Sequence, residues 1–309
     1  MNREGNRRSW SRDLSLALAI FSAAPLCLAQ ELEPRAYSIS PTGVNFLVLG
    51  FARSSGGISF DANLPIEDAR ATLHHAVMAY GRSLNFFGRS ANVAVQSPYV
   101  WGPLRGTVDG QLESIRRSGL APPAVRFAVN LYGGPAMDRE RFSRFRRRTL
   151  IGASIAFAPP LGQYDPNRLI NISSNRWAFK QEVGFSHRVR QWYFDLYLGA
   201  WLFADNTNYR GRVRSQDPIG SAQFHLSYSF KPRLWAAFDA NFYAGGRSAV
   251  DEVRRFDLQR NSRVGGTLAI PVSGRQSLKV SISSGAKTTI GASFTSIAVG
   301  YQFLWGAGF

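Results

Sequence analysis

One feature limits what this chain can become: apolar residues recur at every second position, in segment after segment, over lengths of 9–13 residues. In 192–204 (WYFDLYLGAWLFA) the even positions are Trp192, Phe194, Leu196, Leu198, Ala200 and Leu202, and the odd set includes Tyr193, Asp195 and Tyr197. In 222–230 (AQFHLSYSF) Phe224, Leu226, Tyr228 and Phe230 alternate with Gln223, His225, Ser227 and Ser229. In 234–244 (LWAAFDANFYA) Leu234, Phe238 and Phe242 alternate with Asp239 and Asn241. Period two is the signature of a strand with one apolar and one polar face. Each such segment is long enough for a tilted strand to cross an outer membrane.

The pattern predicts 12 strands, at about 43–51, 71–83, 90–101, 124–132, 149–158, 176–187, 192–203, 219–230, 234–244, 262–272, 277–286 and 294–305. In the first two, either face could be the apolar one. The connectors sort as well. Joins after even-numbered strands are mostly tight (84–89, 188–191, 231–233, 273–276), with 133–148 the exception. Joins after odd-numbered strands are mostly long and polar (52–70, 102–123, 159–175, 204–218, 245–261). An even strand count with short turns at one end and long loops at the other is the layout of a transmembrane antiparallel β-barrel, its turns periplasmic and its loops outside. A soluble β-sandwich has no reason to sort its loops this way.

Composition agrees. Residues 1–29 read as a secretory signal peptide: Arg3, Arg7, Arg8 and Arg12, then an apolar run from Leu14 to Ala29 ending in Cys27-Leu28-Ala29. That run is shorter than the about 20 residues a membrane-spanning helix needs. Cleavage there would remove the single Cys and with it disulfides, thiolate metal sites and cysteine nucleophiles. Residues 30–42 are then a short N-terminal periplasmic segment, able to form a lid strand or tuck into the lumen, and 43–309 the barrel. The whole chain is rich in Gly (29), Phe (22) and Tyr (11), and no stretch after residue 29 could cross a bilayer as a helix. It ends on Val299, Tyr301, Phe303, Trp305 and Phe309, a final amphipathic strand resembling the signal read by the outer-membrane assembly machinery.

With the apolar stripe toward lipid, the other face lines the interior. Arg126, Asn130, Lys180, Glu182, Asp195, Tyr197, His225, Asp239, Asn241, Arg263 and Lys279 are the candidate lumen residues. Their charges are mixed in sign. They form either a polar conduit for a solute or a set of pairs that simply fills the barrel. Tyr193, Tyr197, Trp201, Trp235 and Tyr243 either make an aromatic slide or pack the lumen shut. A three-residue turn at Lys231-Pro232-Arg233 sets Phe230 opposite Leu234, His225 opposite Asp239 and Gln223 opposite Asn241. Ser227 lies on the same face, but two positions from His225 along one strand it is about 6.6–6.8 Å away, too far for a nucleophile and its base. The pair therefore reads as a structural bridge rather than a hydrolase.

The chain is basic, with 37 Lys+Arg against 20 Asp+Glu. The cluster 139–148 (RERFSRFRRR) would bind nucleic acid in a cytoplasmic protein. In an exported one it meets the periplasm, where anionic phospholipid headgroups or the cell wall would be its partner and a solvated turn is the bland alternative. Arg105, Arg116, Arg117, Arg210, Arg212, Arg214, Arg247, Arg254 and Arg255 sit on the long loops, facing lipopolysaccharide. His74 and His75 are adjacent on one strand and point to opposite faces, so they cannot share a metal. No phosphate-binding loop, energy-coupling motif or cofactor is implied.

The stretches ELEPRAYSISPTGVNFLVLGF (31–51), LPIEDA (64–69), PLGQYDPNRLINISSNRWAFKQEVG (160–184), QDPIGSAQFHLSYSF (216–230) and GGRSAVDEVR (245–254) resemble the outer-membrane barrel family labelled "putative MetA-pathway of phenol degradation". The resemblance implies a transporter-like barrel and, by its label, uptake of aromatic compounds. It fixes no substrate and carries over no functional residue. The expectation is a porin-like outer-membrane channel, not an enzyme, for passive uptake of small aromatic or hydrophobic solutes. The alternatives are a plugged structural or adhesive barrel and, behind it, a hydrolase on Ser227, His225 and Asp239.

Overall fold

The computed structural model describes residues 32–59, 66–108, 110–168 and 170–307. The expected signal peptide and the terminal Phe309 lie outside the described residues. Twelve antiparallel strands form a closed barrel: β1 (Asn45–Ser59), β2 (Ile66–Phe86), β3 (Arg89–Val108), β4 (Ala124–Tyr132), β5 (Thr149–Ala158), β6 (Ala178–Val189), β7 (Trp192–Phe203), β8 (Ile219–Lys231), β9 (Leu234–Gly245), β10 (Gln259–Pro271), β11 (Gln276–Lys287) and β12 (Gly291–Trp305). Each pairs with its sequence neighbours, and β1 pairs with β12 from Asn45↔Trp305 to Ser59↔Gly291, which closes the cylinder. Closure satisfies every strand edge, as a bilayer without hydrogen-bonding solvent demands.

The alternation fixes the facing. Phe194, Leu196, Leu198, Phe224, Phe238 and Phe242 are exposed on the outer wall, while Asp195, Tyr197, His225, Asp239 and Asn241 are buried inside. Aromatic contacts cluster toward the two ends of that wall. Phe303–Trp305, Tyr80–Trp305, Trp192–Tyr228 and Tyr228–Phe230 lie at the turn end. Phe51, His74, Tyr99, Trp101, Trp177 and Phe179 lie toward the loop end. Such girdles mark the interfaces of an outer-membrane barrel.

Tight turns at Phe87-Gly88, Arg190-Gln191 and Pro232-Arg233 use the positive φ that a two-residue hairpin needs, with Arg190 at 54° and Arg233 at 65°. The join 133–148 holds the helix α1 (Arg139–Arg144), whose first turn is capped by the Asp138 carboxylate accepting from Arg141 N at 2.8 Å.

Three expectations are corrected. The segments 52–70 and 102–123 are not simple loops. Strands β1 and β2 run on to Ser59 and from Ile66, and β3 continues to Val108, where the chain turns back as Gln111–Leu120 along it. In these extensions apolar residues such as Ile58 and Leu104 are isolated among polar ones and glycines, so period two has no continuous stripe to reveal them. Secondly, the turn before β9 has two residues. Lys231 pairs with Leu234 and Phe230 is absorbed in a bulge, which leaves His225 opposite Asp239 as expected. Thirdly, the inward face of β1 and β2, left open by the sequence, is largely apolar rather than polar: Val48, Ala52, Leu73, Val77 and Ala79 are buried there beside Ser54, His75 and Ser83.

Above the barrel, the 204–218 and 245–261 connectors are ordered into a second four-stranded sheet made of Asn206–Tyr209, Arg212–Gln216, Ser248–Val250 and Val253–Arg254.

Candidate functional site: the barrel lumen

The interior has two sides of different chemistry. On β1–β3 and β12 it is largely apolar, with Leu73, Val100 and Phe294 clustered against Ala121 and Ile172 of the connectors and Val44, Phe46, Ala94 and Leu304 in a second cluster, interspersed with buried Ser54, His75, Ser83, Ser90 and Gln302. On β4–β11 it carries a belt of charged and hydrogen-bonding side chains. All eleven candidate lumen residues lie on this belt, facing inward, and each is more than nine-tenths buried.

Glu182 on β6 is one hub of the belt. Its carboxylate takes a hydrogen-bonded ion pair from Lys180 at 2.9 Å, a bond from Gln223 Nε2 at 3.1 Å, and Arg126 Nη2 at 3.9 Å. Asp239 on β9 is the other. It holds His225 Nδ1 at 2.7 Å and accepts from Thr267 Oγ1 at 2.6 Å. Arg263, opposite Asn241, donates to Ser283 Oγ at 3.1 Å, to Ser296 Oγ at 3.2 Å and to the Phe294 carbonyl. Lys279 feels the carboxylates of Glu33 and Asp239. Asn130 sits lower, against Gly134 of the connector to β5. Charges shared in this way cost less to bury than isolated ones.

The N-terminal segment takes the second of its two expected courses and tucks into the lumen. Residues 33–39 are almost wholly buried and cross the interior in an irregular conformation. Glu33 N donates to Gln223 Oε1 at 3.4 Å, Arg35 N to Asp195 Oδ2 at 3.2 Å and Ala36 N to Tyr197 OH at 3.1 Å. The Arg35 guanidinium donates to Ser227 Oγ and Ser229 Oγ, both at 2.9 Å, and stacks between the rings of Tyr193 (4.1 Å) and Trp235 (4.5 Å).

Tyr37 is the anchor. Its hydroxyl donates to Glu182 Oε1 at 3.0 Å, and its ring meets that of Tyr197 edge-on at 5.2 Å. The ring lies over Gly152 and Gly184, which face each other across β5 and β6. A Cβ at either glycine would stand 2.2 Å from a Tyr37 ring carbon. Burial pushes the Tyr37 phenol well above its ordinary range, and Glu182 adds to the effect, so it remains a hydrogen-bond donor. Downstream, Ser83 pins the segment to the wall: its hydroxyl donates to the Pro41 carbonyl and accepts from Val44 N.

The inward aromatics are packed. Tyr193, Tyr197 and Trp235 are covered by the segment, and Trp201 and Tyr243 join Ile219 and alanines of neighbouring strands in a cluster toward the loop end. Ser227 is held by Arg35 and makes no bond to His225, so the three residues of the hydrolase reading are not assembled as a relay. Sequence reasoning missed two residues of the interior. Arg147, read as one of a surface run, turns into the barrel and is 3% exposed. Arg35 lay in a segment without periodicity. The inward glycines at matching positions of two adjacent strands were the available signal that a bulky ring is seated there.

A closed barrel of 12 antiparallel strands, with tight turns at one end, a lipid-compatible outer wall and a polar interior, is the fold of outer-membrane barrel proteins. The chain belongs to the family described as "Putative MetA-pathway of phenol degradation", which matches residues 55–303. Among solved structures it resembles the COG4313 outer membrane channel from Pseudomonas putida F1, with a TM-score of 0.74 at 16% identity over 89% of this chain and 100% of that one. The transport unit of the autotransporter AIDA-I from Escherichia coli is more distant, with a TM-score of 0.51 at 11% identity over 84% and 90% of the two chains. No functionally curated protein matches the sequence.

Proposed function

We propose that the protein is an outer-membrane channel for passive transfer of small aromatic or otherwise hydrophobic solutes into the periplasm. The observation that carries this reading is the two-sided lumen. A largely apolar side on β1–β3 and β12, broken by a few buried polar groups such as His75, suits a ring or short hydrocarbon, and the facing belt on β4–β11 offers charges and hydrogen bonds to a polar substituent. The family label and the channel of similar fold support it. Export through the signal peptide 1–29, recognition of the last strand (Tyr301, Phe303 and Trp305 lie on its outward face) and contact of the loop arginines with lipopolysaccharide complete the setting.

The test is conductance of the refolded protein in a planar bilayer, together with growth of a deletion strain on low concentrations of an aromatic carbon source. Discrete channels and slowed growth are expected. A folded barrel that never conducts, with growth unchanged, would overturn the reading. That outcome would favour a plugged structural or adhesive barrel, which the segment lying across the lumen also suits.

A further inference from the structure

Three guanidinium groups converge on the ring of Tyr193 at the turn end of the lumen. Arg35 from the N-terminal segment lies 4.1 Å from its centroid, Arg147 from the connector before β5 at 4.9 Å, and Arg188 from the end of β6 at 5.3 Å. Arg35 and Arg147 are both more than nine-tenths buried. Their hydrogen bonds go to neutral hydroxyls: Arg35 to Ser227 and Ser229, Arg147 to Ser38 at 3.0 Å and Ser186 at 2.7 Å. The Nε of Arg147 has no partner among the described residues.

The acid that faces this group is Asp195. It accepts from the Arg35 backbone N–H rather than from a guanidinium, and its Oδ1 is unpartnered. No carboxylate of the described residues forms an ion pair with Arg35 or Arg147. Burial, first, and the like charge of Arg147 push Arg35 down to about 10, and burial lowers Arg147 too. Arg35 thus stays charged at neutral pH, under strain from its surroundings. Two buried cations bonded to hydroxyls and stacked on rings, with the Asp195 carboxylate nearby offsetting only part of their charge, are expensive. A guanidinium fork is shaped for an oxyanion, which accepts two parallel bonds and supplies the negative charge that a serine hydroxyl lacks.

We infer that Arg35 and Arg147 form a recognition site for the carboxylate of a small aromatic acid, with the rings of Tyr193 and Trp235, covered here by the Arg35 guanidinium, taking the planar body of the solute once the segment shifts. The segment carrying Arg35 is then part of the binding site and not a passive stopper. Because Ser38 and Arg35 both belong to that segment, a carboxylate that replaces their contacts to Arg147 and the β8 serines also loosens the segment from its seat. This assignment rests on the channel reading above and adds to it the charge class of the solute and two named residues.

The experiment uses the refolded chain in planar bilayers, with a heat-modifiable gel shift as the check that each variant is a folded barrel. Benzoate, benzyl alcohol, acetate and inorganic phosphate are added in turn, and calorimetric titration with benzoate is run on the same detergent-solubilised protein. Benzoate is expected to alter the current at concentrations where the other three do not. The half-effective concentration should rise at least about tenfold in R35Q and in R147Q, a loss of about 1.4 kcal/mol. R147K, which keeps charge but not the fork, should fall between R147Q and wild type.

Equal benzoate sensitivity in wild type, R35Q and R147Q would overturn the assignment. So would phosphate or acetate acting as strongly as benzoate, or benzyl alcohol showing the same dependence on the two arginines. A barrel that is silent in bilayers yet binds benzoate, with the binding weakened in R147Q, would remove the channel reading and leave the site standing. A barrel that conducts but neither responds to benzoate nor binds it would do the reverse.

Discussion

At the scale of single residues, the interior is decided by a few side chains whose removal has calculable effects. His225 and Asp239 are fully buried and bonded at 2.7 Å. Removing His225 leaves Asp239 buried with the bond from Thr267 but without its imidazole partner, an under-satisfied carboxylate that costs about 1–3 kcal/mol. His225→Ala should therefore lower the urea midpoint of the barrel in lipid vesicles; a midpoint within error of wild type would show the pair to be dispensable. Gly184 makes a sharper test. Gly184→Val places its Cβ inside the Tyr37 ring, so Tyr37 must leave its seat. Arg35 should then become accessible to trypsin in a barrel that remains folded. Gly220→Ala, whose Cβ meets nothing closer than 3.8 Å, should leave Arg35 protected. The His225–Asp239 juxtaposition was legible in the sequence because period-two alternation and a tight turn fix register. Of the Tyr37 seat only the paired glycines Gly152 and Gly184 were legible, because which ring fills the space over them depends on the course of a segment without periodicity.

At the scale of elements, the strands β4–β12 are where the alternation puts them, because lipid on one side and a polar interior on the other impose opposite chemistries on successive residues. The same rule explains where the reading fell short. In the extensions of β1–β3 beyond the alternating segments apolar residues are few and scattered, the stripe disappears, and the extended hairpins looked like loops. On β1 and β2 the inward face is largely apolar, so little contrast remained to tell inside from outside. The connectors give a topological prediction. The exposed turn Arg210-Gly211-Arg212 joins two strands of the outer sheet, so trypsin added to intact cells should cut there and spare α1 and the arginines up to Arg148. Cleavage within 139–148 first would invert the assigned orientation. The helix itself depends on its cap. Asp138→Ala should cost about 1 kcal/mol locally, seen as faster amide exchange at Arg141, with the barrel unaffected because only Phe142 of the helix is buried.

At the scale of the whole molecule, strength and weakness are distributed unequally. The wall is held by continuous ladders of strand pairing closed by β1 with β12. The segment across the lumen is held by side chains: the Tyr37 ring, the Arg35 hydroxyl contacts and the Ser83 clasp. Side-chain contacts of this kind open more readily than a closed sheet. Deleting residues 32–40 should therefore leave a folded barrel with a larger conductance than wild type; an unchanged conductance would mean the segment does not limit flow. What the sequence determined by itself was the class of fold, the strand count and most of the inward-facing residues, since these follow from alternation and loop lengths, which are local properties of the chain. What only the tertiary structure decided was how the interior is filled. The course of residues 32–43, the inward turn of Arg147 and the meeting of three arginines on Tyr193 arise from residues far apart in the chain. A periodic pattern carries no information about contacts made across an enclosed space.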